Sequence, residues 1–167
     1  MTTLIEIEKK IDRSEKNLQR KLEWISRYDT RIAFVSGIAI AMLGVLASAS
    51  GLIVKWECFT YFIFGLASIL LLLSLIFIYF GLYPKIKSPN TSLLFFGTIA
   101  DMKFDEFKKK FKDITDEEYL DDLLCQTHIN AEILKKKFSS LKTSLVLIGV
   151  STLPWIIAIY LSKMYLK

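Results

Sequence analysis

Three long uncharged stretches dominate the pattern of the chain. No residue from Ile32 to Val54 or from Cys58 to Tyr83 is charged, and these stretches hold 23 and 26 residues. A third stretch, from Ser144 to Ser162, holds 19. About 20 apolar residues in a helix cross the hydrocarbon core of a bilayer. The pattern therefore predicts three transmembrane helices, the third of which contains Gly149 and Pro154, residues that membrane helices tolerate.

The second stretch carries the membrane prediction most strongly. Its seven Leu, four Ile and five Phe contribute roughly 0.5 kcal/mol each to insertion near a helix centre, about 8 kcal/mol as an upper estimate. The alternative for all three stretches is a set of buried helices in a soluble protein. A mixed-charge segment of about thirty residues precedes the first stretch, which is therefore not expected to be a cleaved secretory signal.

The basic residues near the span ends predict the orientation. Near the span ends, thirteen Lys and Arg lie in the N-terminal and central polar segments, and three lie on the opposite side of the spans. Because cytoplasmic loops carry the excess of Lys and Arg, the N-terminus and central segment are expected in the cytoplasm. The tail from Lys163 to Lys167 is then outside, which predicts a multi-pass membrane protein.

The polar segments also show helical patterns. Leu4, Ile11, Leu18, Leu22 and Ile25 form one narrow apolar seam before the first span, and a similar seam precedes the third span without Pro or Gly. We therefore expect an all-α integral membrane protein in which two of the three transmembrane helices continue into a cytoplasmic helical bundle.

This pattern divides the chain into four regions. Residues 1–31 are expected to form an N-terminal cytoplasmic amphipathic helix and residues 32–83 a transmembrane hairpin, with spans 32–54 and 58–83. Residues 84–143 would form a cytoplasmic helical sensing region. Residues 144–167 would form the third transmembrane helix and a short external tail.

A short segment of the central region is strongly amphipathic. Phe104, Phe107 and Phe111 share one helical face, with Lys side chains around it. This pattern is typical of a helix that lies on a membrane surface or on a partner. The same three rings also suit packing against the N-terminal helix, so both interpretations stay open.

Charge and cysteine content narrow the function classes. The formal net charge is +5, but the central segment balances eleven Lys against ten Asp and Glu, which does not favour a nucleic acid polymer as partner. A modest attraction to anionic membrane lipid is expected. Cys58 and Cys125 are predicted on opposite sides of the membrane, where they cannot form a disulfide with each other.

Recognisable catalytic chemistry is absent from the sequence. There is no Gly-rich phosphate loop, no nucleophile elbow and no Cys or His cluster with metal-ligand spacing. The chain has one histidine, His128, on which any zinc site or Ser/His triad would depend. We therefore expect no enzyme, no catalytic residues, no metal and no cofactor.

Several polar and aromatic residues are candidates for binding a ligand. Asp29 and Arg31 lie at the cytoplasmic end of the first span. One interpretation is that they only anchor the helix at the membrane interface; the other is that Arg31 binds an anionic ligand while the Asp29 carboxylate orients the guanidinium. Aromatic rings that stack on a base and polar groups that read its edge are the other elements of such a site. The candidates of that kind are Asn90, Phe95, Phe96, Gln126 and His128. The alternative interpretation is that these residues have no ligand role and lie on the surface or at the edge of a helix seam.

The ordered motifs of the chain resemble a known family. They are Asp29-Thr30-Arg31 before the first span, Tyr83-Pro84 after the second, Pro89-Asn90, the run Leu93 to Ala100, and Gln126-Thr127-His128. This succession resembles the transmembrane effector family of Pycsar antiphage systems, PycTM, from about residue 15 to residue 160.

The resemblance implies a function. A partner cyclase would make a cyclic pyrimidine mononucleotide, cUMP or cCMP, during phage infection, and the effector would sense it and impair the inner membrane. Growth then stops before the phage multiplies. The expected partners are this activating nucleotide, membrane lipid and further copies of the chain in a homo-oligomer. A small membrane scaffold or adaptor and a ligand-free pore-forming toxin are the alternatives.

Overall fold

A computed structural model describes residues 2–83 and 92–164 of the protein. Within these ranges all regular structure is helical and no strand occurs, which confirms the all-α prediction. The helices are α1 (Thr2–Ser50), α2 (Cys58–Leu82), α3 (Phe96–Asp101), α4 (Phe104–Asp113) and α5 (Asp116–Met164).

Three of these helices are long and apolar enough to cross a membrane. The most apolar windows of α1, α2 and α5 have mean hydropathies of 2.3, 2.6 and 2.0, which confirms the prediction of three spanning helices. Helix α1 ends at Ser50, although the apolar stretch continues to Val54. The ending follows from a tight turn, because the amide of Leu52 donates to the carbonyl of Ala49.

The described chain folds as two compact units. One is formed within Tyr28–Pro84 and Lys136–Lys167, and the other within Met1–Arg27 and Lys85–Lys135. We call the first the span unit, because it contains the three uncharged stretches, and the second the polar unit. The span unit also includes polar residues that precede the uncharged stretches, from Tyr28 in α1 and from Lys136 in α5. The position of the bilayer along the helices stays a prediction.

Small side chains allow close packing inside the span unit. Ala39, Ala67 and Ala158 are completely buried, and so are Ser74 and Ser144. The hydroxyl of Ser74 donates to the carbonyl of Ser144 over 3.2 Å, and the Ser144 hydroxyl lies 3.2 Å from the carbonyl of Ser74. Small residues and interhelical hydrogen bonds are the means by which membrane helices associate, because lipid supplies no hydrophobic drive between them.

The outer surface of the span unit is apolar. Phe34, Phe62, Leu153 and Tyr160 each expose more than 60% of their surface. Monomeric soluble proteins rarely expose contiguous apolar surface on this scale. This surface is therefore suited to lipid rather than to water.

Gly81 allows a close contact within the span unit. The fully buried ring of Tyr28 places its hydroxyl where a Cβ at position 81 would lie, and the same Cβ would be 3.0 Å from Cβ of Ser140. The Tyr28 hydroxyl has no hydrogen-bond partner among the described residues. Glycine at position 81 therefore accommodates the Tyr28 ring.

The polar unit joins α1 to α5 and carries α3 and α4. The Tyr119 hydroxyl donates to a carboxylate oxygen of Glu15 over 2.9 Å, which links the two long helices. Helix α5 begins with a capping box: the Thr115 amide donates to Glu118 over 2.9 Å and the Glu118 amide donates to the Thr115 hydroxyl over 3.3 Å. The Thr115 amide and the Thr115 hydroxyl both donate to the Glu118 carboxylate, and these two hydrogen bonds lower the pKa of the Glu118 carboxyl.

Helix α4 contains no buried residue. Phe104 and Phe111 are 73% and 58% exposed, and Phe107 is half-buried. Of the two interpretations of this amphipathic helix, packing of all three rings against the N-terminal helix is therefore wrong for Phe104 and Phe111. Their face of α4 is open.

Candidate functional site

The structure brings some of the seven candidate residues together. Phe95, Phe96, Gln126 and His128 belong to the polar unit, whereas Asp29 and Arg31 belong to the span unit. Asn90 lies outside the described residues. As ligand contacts, all seven stay predictions.

Ser92 organises the segment that precedes α3. Its hydroxyl oxygen accepts from the amides of Leu94 and Phe95, each over 3.1 Å, and from the side-chain amide of Gln126 over 2.9 Å. Ser92 and Gln126 are both buried. A serine that bonds to amides two and three residues ahead stabilises a turn without help from a helix or sheet. This polar pair therefore fixes where α3 begins.

The turn presents two aromatic rings. Their centroids, in Phe95 and Phe96, are 4.8 Å apart. Phe95 is half-buried and Phe96 is 75% exposed. A Cβ at Gly97 would lie 2.5 Å from Cε1 of Phe95, so glycine at this position makes room for the Phe95 ring. The exposed Phe96 ring is a surface on which a planar ligand can stack.

Gln126 and His128 have different surroundings although they are close in sequence. Gln126 faces inward and is engaged with Ser92. The side chain of His128 is 77% exposed and lies 3.6 Å from a carboxylate oxygen of Glu132, its neighbour one helical turn later. His128 is accessible to a ligand, whereas Gln126 supports the turn before α3 from inside.

A groove of about 740 Å³ lies beside this turn, between α4 and the start of α5. Ser92 and Leu93 form part of its wall, and the Leu93 amide donates to Asp122 over 2.8 Å. The groove is acidic, because five carboxylates line it against two Lys. The charged lining residues are Glu106, Asp113, Glu118, Asp121, Asp122, Lys109 and Lys110.

The span unit contains a buried charged cluster around Asp29. Lys137 Nζ lies 2.6 Å from Oδ1 of Asp29 and 4.8 Å from the ring centroid of Tyr28. The Lys137 side chain is 8% exposed and that of Asp29 is 48% exposed. The ammonium thus has a carboxylate and an aromatic face as partners. The negative charge of Asp29 is therefore already paired with the Lys137 ammonium, whereas Arg31 is exposed.

Sequence reasoning missed Lys137 and Ser92. Lys137 follows the buried Ile133 by four residues and precedes the buried Leu141 by four, so it lies on the inward stripe of α5. A charged residue on an apolar stripe is informative, because Lys is rarely buried without a partner. Ser92 gave no comparable signal, because its role depends on the distant Gln126.

The described residues contain no group of three or more His, Cys, Asp or Glu side chains that could hold a metal ion. The predictions of no metal and no cofactor concern the whole chain and stay predictions.

Comparison of the sequence with models of known protein families assigns the chain to a family. The model of the Pycsar effector protein domain, PycTM, matches residues 13–162, which is most of the chain. The chain therefore belongs to the PycTM family. The matched region contains all three uncharged stretches and all seven candidate residues.

A curated relative agrees with this assignment. The Pycsar effector protein GmPycTM of Gulbenkiania mobilis is 27% identical over 170 residues, covering 84% of this chain and 86% of the relative. No solved structure matches the chain. Membership in the PycTM family supports a role as an antiphage defence effector in a membrane, and it favours a non-catalytic effector over an enzyme.

Proposed function

We propose that this protein senses a cyclic pyrimidine mononucleotide, cUMP or cCMP, and then impairs the integrity of the cell inner membrane, causing abortive infection. The observation that carries the proposal is a PycTM match across residues 13–162, in a chain with three helices apolar enough to cross a bilayer. The distribution of Lys and Arg supports a cytoplasmic N-terminus and an external C-terminus.

The proposed ligand region is the turn before α3. The exposed Phe96 ring offers a face for stacking a pyrimidine, and Gln126 with Ser92 supports the turn that precedes this ring. His128 is an accessible polar contact, and Asn90 is expected to contribute from outside the described residues. Asp29 and Arg31, in the span unit, stay proposed contacts for an anionic group. The acidic groove is a poor site for the phosphate, because five carboxylates repel it.

Gating requires a modest binding energy. To raise an open state from 1% to about half of the molecules, the ligand must favour that state by about 2.7 kcal/mol. One stacked base and one charge-assisted hydrogen bond supply energies of this order. The proposal therefore needs no covalent chemistry in the effector.

We also propose that the active form is a homo-oligomer. Gly37, Ala41 and Gly44 are exposed on α1, and a Cβ added at Gly37 or Gly44 would meet no atom within 4 Å. Small residues on an outward face suit close packing of helices from different copies in lipid.

A binding measurement on the full chain in detergent or nanodiscs tests the ligand. We expect cUMP or cCMP to bind, with 5′-UMP and cAMP as comparisons. Phe96→Ala is expected to weaken binding about 5- to 150-fold, the equivalent of about 1–3 kcal/mol of base stacking. Phe62→Ala is the matched control, because Phe62 is also an exposed ring but lies in α2. Equal loss in both variants would contradict the assignment of Phe96.

Leakage from proteoliposomes tests the activity. We expect a trapped dye to escape from vesicles that contain the full chain only after addition of the nucleotide that binds. Leakage that is identical with and without each nucleotide would contradict ligand gating and would favour a ligand-independent pore.

Expression with a pyrimidine nucleotide cyclase separates the effector from the adaptor. Loss of membrane potential that depends on cyclase activity supports the effector. An intact potential together with a specific co-purifying protein would instead favour a membrane scaffold.

A further inference from the structure

Helix α4 presents opposite chemistry on two faces. At about 100° of rotation per residue, Phe104, Phe107 and Phe111 fall within about 60° of one another. Lys108 and Lys112 follow on one side of this aromatic face, and Lys103 on the other. We call the whole surface the Phe/Lys face.

The Phe/Lys face lacks a partner within the described chain. Phe104 and Phe111 are largely exposed, and so are the three flanking lysines. Exposing two aromatic rings beside each other leaves apolar area in water, which favours association with another surface. The lysines require that surface to be acidic.

The opposite face of α4 forms a wall of the acidic groove. Its lining residues Glu106, Lys109, Lys110 and Asp113 are centred about 140° from the three Phe side chains. Within the groove wall, Lys110 pairs with Glu106 over 3.0 Å. Leu93 and Ile114 supply apolar surface in the groove, and five carboxylates surround it. Glu118 and Asp122 are engaged in local hydrogen bonds, whereas Asp121 is exposed.

We propose that the Phe/Lys face of one copy docks into the acidic groove of a second copy. The apolar residues of the groove receive a phenylalanine ring, and the flanking lysines pair with its carboxylates. The charge of each surface is complementary to the other and repels its own kind, which favours this pairing over face-to-face contact of identical surfaces.

The proposal determines the kind of assembly. Because the docking face and the groove lie on opposite sides of α4, two copies cannot form both contacts with each other at once, and the contact is heterologous. Such contacts close into rings or continue as open chains rather than stopping at a two-fold dimer. The assembly therefore joins more than two copies, and its existence does not depend on which nucleotide binds.

Cross-linking of the full chain in proteoliposomes tests the contact, using the native Cys125 of the groove. One population carries Cys58→Ser, Cys125→Ser and Lys112→Cys, and a second, with a larger tag, carries Cys58→Ser alone. A short bis-maleimide is expected to give mixed dimers. Gln19→Cys in place of Lys112→Cys is the control for random collision, because Gln19 is exposed on α1. Mixed dimers no more abundant than in this control would overturn the proposal.

A charge exchange tests the chemistry of the contact. Adding Lys108→Glu to the first population is expected to lower the yield of mixed dimers about tenfold, because it places a carboxylate against carboxylates. Adding Asp121→Lys to the second population should then restore the yield. A yield of mixed dimers that changes with neither substitution would contradict docking through these charges.

An anionic lipid surface is the competing partner for the same face. If lipid is the partner, vesicles that contain phosphatidylglycerol protect the cysteine of Lys112→Cys from a water-soluble maleimide, whereas vesicles of phosphatidylcholine alone do not. No mixed dimers form in either kind of vesicle. That result would overturn docking between copies.

Discussion

At the scale of single residues, Lys137 and Asp29 differ more in burial than the partners of any other ion pair among the described residues. The lysine is buried and the aspartate is half-exposed. Removal of one partner from such a pair leaves the other charge unpaired, and the cost depends on which charge remains in the interior. The two single substitutions are therefore not equivalent.

We predict that Asp29→Ala destabilises the protein more than Lys137→Met does. The alanine variant leaves a buried ammonium with only the Tyr28 ring beside it, at a cost of about 1–3 kcal/mol. The methionine variant removes the buried charge and leaves a carboxylate that water can reach. Thermal unfolding in detergent measures both, and the reverse order would contradict the assignment of Lys137 as the buried partner.

The Ser92 hydroxyl supports the turn before α3 more than the Gln126 amide does. Ser92→Ala leaves two backbone amides and the Gln126 side chain without their acceptor, whereas Gln126→Ala removes one donor from an oxygen that keeps two. We expect costs of about 2–3 and about 1 kcal/mol, respectively. Hydrogen exchange at the Leu94 and Phe95 amides measures the difference.

His128→Ala is the control for these variants. Its exposed side chain predicts a change in stability below about 0.5 kcal/mol. A loss of nucleotide binding in this variant therefore reports a ligand contact rather than a folding defect.

At the scale of elements, the contact of α1 with α2 depends on Gly81. We predict that Gly81→Ala destabilises the span unit by about 1–3 kcal/mol, because the new methyl group overlaps the Tyr28 hydroxyl. Gly65→Ala is the matched control in the same helix, since a Cβ there meets no atom within 4 Å. Thermal unfolding in detergent compares the two.

Tyr28→Phe tests whether overlap with the Tyr28 hydroxyl is the cause of the instability expected for Gly81→Ala. The substitution removes a buried hydroxyl that has no partner among the described residues, so alone it should be neutral or slightly stabilising. Combined with Gly81→Ala, it should recover most of the lost stability. Failure to recover would place the strain elsewhere, for example at Ser140.

The first turn of α5 should depend on pH. Because the pKa of Glu118 is lowered in the folded state, its contribution is present at neutral pH and is lost as the pH falls through that lowered value. We predict that hydrogen-exchange protection of the Thr115 amide, corrected for the intrinsic rate, decreases on acidification. Glu118→Gln should remove this dependence, and an unchanged dependence in that variant would contradict it.

At the scale of the whole molecule, two native cysteines test the topology. Cys58 begins α2 and is exposed, and Cys125 lies in the polar unit. With the N-terminus in the cytoplasm, we predict that a membrane-impermeant maleimide labels Cys58 in intact spheroplasts and labels Cys125 only after permeabilisation. Labelling in the opposite order would reverse the proposed orientation.

The sequence determined the elements that depend on local pattern. Uncharged stretches of bilayer length predicted α2 and the apolar parts of α1 and α5, because insertion depends mainly on composition and length. The capping box of Thr115 and Glu118 at the start of α5 is also a local pattern, because it involves residues only three positions apart. The ordered motifs were enough to indicate the family.

Only the tertiary structure decided which side chains meet across long separations. The pairing of Lys137 with Asp29, the support of Ser92 by Gln126 and the opening of the α4 aromatic face all depend on how distant helices pack. Periodicity places a residue on one face of a helix, but it does not say which surface covers that face. Contacts of this kind arise from the packing of whole helices, so no local pattern in the chain determines them.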